Sequence, residues 1–569
     1  MTWRDHLFAG IALGLWLILA IHTSLSTSVT HDEIWHLPAG LRGWSGDFTP
    51  DRVNPPLSRL WSALTVRLAG ITATSATNAS DLGHQFVAEH DNYLRWYVLG
   101  RLANLIWPLL TAVLIYVWSL SAVGLFAARV ALLCFLCCPN VLAHGALVTP
   151  DSAAMFGFLL TSYCLTNWLN AASWRGAIFL GLSLGLLQSA KFHGVVFYPV
   201  ILLCGILCAG MTWRKKSDTH HGPSAGVVIG QMALVGMISL IVLAVLYGGQ
   251  SIGHPLGDFH FVSRSLQAWQ VKLSSLHALP MPVPADYLLG IDQQMQTMES
   301  PHPVFLDGVW QVRGFPDYFA KALLYKLSHG FQLLIAAGLF IAWRTRHQAK
   351  PWQGVAVWAP VLILFVLASL SDLQLGLRYI LPIIPACALL AGRGTELLAA
   401  FAPSARMFLQ VVLLVALLSP LRFHPHHLAY FNEFAGGPVG GRYHLLDSNL
   451  DWGQDLLLAR DFLKAHADEN PRFVYFGMVD PRREGIAVPL PPSRYPEPGL
   501  YLVSVNFVMG RPHVVWQPDG THRAVDIQEF GYFRFFQPVA RCGYSIDVYR
   551  ITADDIRRAA AQPARSPSR

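Results

Sequence analysis

Residues 7–36 read LFAGIALGLWLILAIHTSLSTSVTHDEIWH. The leading part is apolar for about 20 residues, the length a helix needs to satisfy its own amides across a bilayer core of about 30 Å. Thr30-His31-Asp32-Glu33-Ile34-Trp35-His36 follows at once, so two adjacent carboxylates and two imidazoles are held at the membrane surface. Ionisable groups kept against a bilayer edge point to function. The same stretch also reads as a solvated helix start, with Thr30 as cap and Glu33 in the capping-box position. Ser24-Leu25-Ser26 could be cut as a signal-peptide site. Asp5, and the need to keep Thr30 to His36 near the membrane, favour an uncleaved anchor.

The apolar pattern recurs along the chain. Of its 569 residues 53% are hydrophobic and 13% charged, against about 25% charged in ordinary soluble proteins. A disordered, nucleic-acid-binding or wholly soluble protein is excluded. About eleven spans are long enough to cross, beginning near Leu7, Trp96, Val123, Ser152, Gly176, Val195, Val227, Ala322, Gly354, Leu377 and Met407. The net charge of +7 is topological, since short cytoplasmic loops are enriched in Lys and Arg. With Arg4 inside, Arg129, Arg175, Arg214-Lys215-Lys216, Arg344 with Arg346 and Lys350, and Arg406 fall on one side. Loops 26–95 and 249–321 and everything after about Pro420 then lie outside.

The expected architecture is a polytopic α-helical membrane domain over 1–421, a small extracytoplasmic α/β domain over 422–555 and a flexible tail over 556–569. Arg472 to Val479, Gly499 to Val508 and Tyr544 to Ile551 have strand length, with a helix over Gln454 to Ala465. Seven of the eight cysteines lie in apolar runs, which leaves the exposed parts no disulfide framework. In the first loop, Asn54-Pro55-Pro56-Leu57 makes a turn. Leu57, Leu60, Trp61, Leu64 and Leu68 then repeat at helical spacing opposite Ser58, Arg59, Ser62 and Arg67, as in a helix lying in the membrane interface. His424-Pro425-His426-His427 invites a zinc reading, but Pro425 interrupts any regular ligand face.

The order Asp32-Glu33, Gly46-Asp47-Phe48, Asn54-Pro55-Pro56-Leu57 and interfacial helix resembles the first external loop of the C-type (GT-C) integral-membrane glycosyltransferases, in the protein O-mannosyltransferase and aminoarabinose-transferase superfamily. The resemblance continues through Asn140 to Gly145 and Thr149-Pro150-Asp151, then Gln188 to Phe192 and Gly376 to Pro382. Tyr430-Phe431-Asn432-Glu433 and Asp447 to Asp455 are similar to a bacterial branch dependent on phospholipid carriers. One departure matters: aminoarabinose transferases carry Glu-Lys before Pro-Pro, where this chain has Val53-Asn54, so that enzyme's contacts do not transfer.

The resemblance implies a GT-C fold in a bacterial inner membrane. It also implies transfer of a sugar from a polyprenyl-phosphate donor to a protein, lipid or glycan acceptor at the periplasmic face, among membrane lipids. Such transfer needs a base for the acceptor, cations for the departing phosphate and a slot for the isoprenoid tail. Asp32 is the expected base, with Glu33 orienting it or sharing a proton with it. Asp151 is expected to converge with Asp32 on the acceptor or on a divalent cation such as Mg or Mn, though it also reads as a helix cap. Lys191 and Arg378, with Arg101 third, are expected to bind the donor phosphate, and His36 and Asn54 to position substrate or loop. A transporter or flippase of lipid-linked saccharides is the competing class. It predicts repeated halves and interrupted helices meeting at midplane, and neither is evident.

Overall fold

The computed structural model describes residues 3–214, 224–347 and 351–561. Lys215, Lys216 and Lys350 of the orientation pattern, and the tail from residue 562 onward, lie outside the described residues. Each span expected from the sequence falls at a helix or a bent helix pair. By length and apolarity five described helices qualify as crossings: His6–Ser26, Tyr93–Ala122, Ala225–Leu246, Leu377–Ala400 and Pro403–Phe423. The total rises to 7 when two bent pairs, Leu125–Leu136 with Pro139–Gly145 and Tyr318–Lys326 with His329–Arg344, each count as one. The estimate of about eleven exceeds this because helices such as Asp151–Ala171 and Trp174–Ala190 are less uniformly apolar. They bury Thr161, Ser162 and Thr166, and Ser183, Gln188 and Ser189, inside the bundle.

The three large polar segments gather on one face. Ser28 N and His31 N donate to Gln454 O and Trp452 O at 2.9 and 2.8 Å, Arg52 Nε meets Asp286 Oδ1 at 2.6 Å, and Trp310 Nε1 donates to Met509 O at 2.9 Å. The helix Leu57–Leu68 buries Ser58, Arg59 and Ser62 of its polar stripe, leaves Arg67 exposed near its end, and turns Trp61 and Leu68 outward at 39% and 78% exposure. A helix that hides two serines and one arginine while presenting Trp61 and Leu68 suits a position at the membrane interface.

The C-terminal strands run in the order Arg472–Val474, Gly499–Ser504, Ile546–Ile551, Ala540–Cys542. The first pair is parallel and the others antiparallel, with Tyr501 opposite both Arg472 and Tyr549. The second strand is shorter than expected: Val505–Val508 is a helical turn whose Asn506 side chain serves the backbone of Asp447 and Asp451. The first strand also stops early, at Val474. The sheet shares its core with the first loop, since Val29, Leu37, Phe86 and Tyr97 pack with Leu456, Phe473, Leu502 and Val548. Residues 556–561, expected to be flexible, belong to the helix Ala553–Ala561. Thr552 and Asp555 cap its start reciprocally, and the pairs Asp554–Arg557 and Asp555–Arg558 line it.

Between the first loop and the bundle, Arg101 and Glu33 form a pair with no side-chain exposure at either residue. Arg101 Nε and NH2 reach the two Glu33 oxygens at 2.8 and 2.6 Å, and the guanidinium also donates to Ser24 O, Thr27 O and Ser28 O. Truncating one partner of a buried pair strands the other's charge, at a cost of about 3–5 kcal/mol. Glu33→Gln and Arg101→Leu are therefore expected to lower the unfolding temperature of the detergent-solubilised chain sharply. Melting within a degree of wild type would contradict this.

Candidate functional site

Asp32 precedes the helix Glu33–Gly43. With Glu33 locked by Arg101, by the Thr30 amide and by the Val148 amide at 2.8 Å, the neighbouring Asp32 side chain is left to the opposite side, toward Arg378. Asp32 Oδ2 meets Arg378 NH1 at 2.7 Å, with side-chain exposures of 17% and 12%, and Asp32 Oδ1 lies 3.1 Å from His31 Nδ1. Burial opposes charge on Asp32, but the Arg378 guanidinium and His31 overcome it and hold the carboxyl well below the usual range. The Glu33 carboxyl is likewise held low against burial, chiefly by Arg101.

Asp151 opens the helix Asp151–Ala171, and Pro150, not Asp151, occupies the cap position. Its side chain pairs instead with Lys191, which ends the helix Trp174–Ala190. Asp151 Oδ2 is buried with no protein partner. The Tyr379 ring connects the two ion pairs: Lys191 Nζ lies 5.7 Å and Arg378 Cζ 5.1 Å from its centre. Arg378 also stacks over Trp452 at 4.5 Å and interacts electrostatically with Asp32, Asp151 and Asp447. Asp32, Asp151, Lys191 and Arg378, far apart in sequence, thus form one cluster at helix ends on the face that carries the polar segments.

The other expected site residues lie around it. Glu33 and Arg101 are sealed within the frame and saturated by protein partners, so phosphate binding by Arg101 is not supported. His36 Nδ1 and Asn54 Nδ2 both reach the Asp51 carboxylate, at 3.2 and 2.8 Å, and Arg59 NH1 donates to Asp51 O at 2.7 Å. His36, Asn54 and Arg59 line a small cavity against Thr149 and Pro150, so His36 and Asn54 hold the loop beside Asp151. Asp51 and Arg59 were missed; Arg59 was visible only as part of a polar helix stripe.

Of the two carboxylates expected to meet a divalent cation, Asp32 has both oxygens engaged, by His31 and Arg378, and Asp151 pairs with Lys191 through one oxygen. Among the described residues no group of three or more His, Cys, Asp or Glu side chains could hold a metal ion. His424 contacts His22 and His427 at 2.7 and 3.0 Å, ring nitrogen to ring nitrogen.

The remaining wall comes from the C-terminal segment. Leu377 N donates to Asn449 Oδ1 at 3.0 Å and Ser448 Oγ to Leu375 O at 2.7 Å, which docks the Asp447–Asn449 turn on the strand of chain leading to Arg378. Gly376 permits this approach, because a Cβ there would collide with Ser448 Oγ.

The dolichyl-phosphate-mannose-protein mannosyltransferase family matches residues 11–251. The likeness read in the sequence holds there. That stretch contains Asp32, Asp151 and Lys191; Arg378 lies beyond it. No curated protein matches the chain. Among solved structures, the Saccharomyces cerevisiae protein O-mannosyltransferase Pmt1–Pmt2 complex bound to the sugar donor is 17% identical, with TM-score 0.35, over 45% of this chain. The match spans 36% of that chain's own length. ArnT from Cupriavidus metallidurans bound to undecaprenyl phosphate is 13% identical, with TM-score 0.46, over 96% of this chain and 98% of its own. The archaeal oligosaccharyltransferase AglB from Archaeoglobus fulgidus is 10% identical, with TM-score 0.45, over 93% and 75%.

Beneath the docked turn, burial lifts the Asp451 carboxyl from the ordinary 3.8 to about 8, against a hydrogen bond from Ser504 that lowers it. A carboxyl whose folded value is raised stabilises the fold fully below its unfolded value and loses that contribution as pH rises through the folded one. Thermal stability relative to Asp451→Asn should therefore fall as pH rises from about 4 to about 8. Parallel melting profiles for the two proteins would contradict this.

Proposed function

We propose that the chain is a membrane glycosyltransferase that moves a sugar from a polyprenyl-phosphate donor to an acceptor hydroxyl on the extracytoplasmic face, in a bacterial inner membrane. The observation that carries the reading is the convergence of Asp32–Arg378 and Asp151–Lys191 on Tyr379, where helix ends meet the polar segments. Support for the outer face comes from Arg129, Arg175, Arg344, Arg346 and Arg406, which the order of the spans in the sequence puts at or near the opposite ends of the helices.

In the proposed reaction the acceptor oxygen attacks the anomeric carbon and its proton passes to Asp32. The bond from the anomeric carbon to the phosphate oxygen breaks, and the electron pair leaves with polyprenyl phosphate. Arg378 offers a planar, bidentate guanidinium to the phosphate and Lys191 a point charge. Without donor, both cations are occupied by Asp32 and Asp151. A phosphate that draws Arg378 toward itself also weakens the hold on Asp32, so donor binding raises the basicity that the acceptor needs. Asp151, with one oxygen free of protein partners, is placed to accept a hydroxyl from sugar or acceptor. A flippase would need none of this at helix ends, and it would not release free carrier.

With the purified chain in nanodiscs and polyprenyl-phosphate sugars, mass spectrometry should detect released polyprenyl phosphate. Asp32→Asn should cut the release by about 10²–10⁴-fold, the usual worth of a general base, with expression and membrane insertion unchanged. Lys191→Gln should weaken donor binding about tenfold, the value of one charge-assisted hydrogen bond. Undiminished turnover in Asp32→Asn would remove it from the mechanism, and movement of carrier with no release would favour the flippase.

A further inference from the structure

The cluster around Arg378 continues into the C-terminal segment. Arg511 NH2 meets Asp447 Oδ2 at 2.5 Å, with side-chain exposures of 10% and 8%. The guanidinium lies 5.1 Å over Phe476, and Phe476 packs 4.5 Å from His513 and 5.5 Å from His31 between ring centres. His31 touches Asp32 and Asp32 touches Arg378, while Asp447 bears on Arg378 through its charge and through the docked Asp447–Asn449 turn. Arg511 is thus a further cation beside the cluster of Arg378 and Lys191.

Two observations make Arg511 more than the partner of Asp447. Its Nε is buried with no hydrogen-bond partner, as is the Nε of Arg378. A buried guanidinium donor left empty costs stability, and an arriving acceptor oxygen would satisfy it. Asp447 itself sits at φ +58°, a left-handed conformation uncommon outside Gly, Asn and Asp. It is held there by Asn506 Oδ1, which accepts from its amide at 2.9 Å. The turn thus sets the Asp447 carboxylate against Arg511. Across the cluster, Lys191, Arg378 and Arg511 balance Asp32, Asp151 and Asp447, so an incoming anion binds by exchanging partners and not by meeting a free charge.

We propose that Arg511 is a further oxyanion-binding residue of the site, which takes a phosphate oxygen on its Nε edge while Asp447 competes with the ligand for the same guanidinium. The proposal rests on the reading of Arg378 as a phosphate-binding residue. It adds that the C-terminal segment takes part in ligand binding and does more than cover the site. The phosphate could be the lipid headgroup or a free anion.

The opposed roles of the pair supply the test. Full-length chain in nanodiscs is titrated with undecaprenyl phosphate and, separately, with inorganic phosphate. Arg511→Gln should raise Kd about tenfold, and Arg511→Lys should recover part of the loss. Asp447→Asn, which suits the left-handed backbone, should lower Kd roughly threefold by removing a competing charge. A gain of affinity cannot arise from misfolding. Opposite shifts with undecaprenyl phosphate assign the lipid headgroup, and opposite shifts confined to inorganic phosphate assign a free anion; both support the proposal. If Arg511→Gln and Asp447→Asn weaken binding together, or neither changes Kd for either probe, the pair is structural and the proposal is overturned. Wild type that binds inorganic phosphate with these shifts but no undecaprenyl phosphate would leave Arg511 standing and remove the lipid-linked donor.

Discussion

Everything in the site depends on a charge pair that solvent never reaches. Glu33 and Arg101 are both inaccessible, and between them they take up carbonyls of Ser24, Thr27 and Ser28 and the amides of Thr30 and Val148. Such a pair repays its desolvation only when nearly every donor and acceptor is satisfied. That requirement fixes where the first membrane helix ends and where the chain turns. The residue before Glu33 then has one place to go. The adjacent acids Asp32 and Glu33 therefore differ by environment, Glu33 saturated in the frame and Asp32 left 17% exposed against Arg378.

The second constraint is the docking of a distant segment on this frame. Trp452 O accepts the His31 amide at 2.8 Å while its ring carries Arg378. Asn449 and Ser448 bind the chain just before Arg378. One turn of the C-terminal segment thereby sets both partners of the Asp32–Arg378 pair. The shared cores have the same effect on a larger scale, because side chains of the first loop and the sheet bury one another. The architecture is a bundle whose polar face is completed by its own C-terminal part.

Much of this was legible in the sequence for simple reasons. Apolar length located the helices, and the charge pattern grouped the polar segments that the structure brings to one face. Family likeness singled out Asp32, Asp151, Lys191 and Arg378, which converge. What stayed hidden were the pairings. Nothing local says that Glu33 spends its charge on Arg101, or that His36, Asn54 and Arg59 share Asp51, because the partners meet only through tertiary packing. The helix Leu57–Leu68 was found by its period, but its apolar stripe faces outward because its neighbours bury hydroxyls and a guanidinium. Asp447 and Trp452 stood in a stretch that reads equally well as a plain turn, and Arg511 carried no signal, since a lone arginine acquires meaning only from the carboxylate opposite.

The central claim is that the two ion pairs surround the place where a lipid phosphate sits. A cryo-electron-microscopy map of the full chain with bound polyprenyl phosphate tests it most directly. The account predicts phosphate density within hydrogen-bond reach of both Lys191 and Arg378, next to Tyr379, with the isoprenoid tail leading into the bilayer. Phosphate density at any other helix end, with Asp32–Arg378 and Asp151–Lys191 undisturbed, would contradict it.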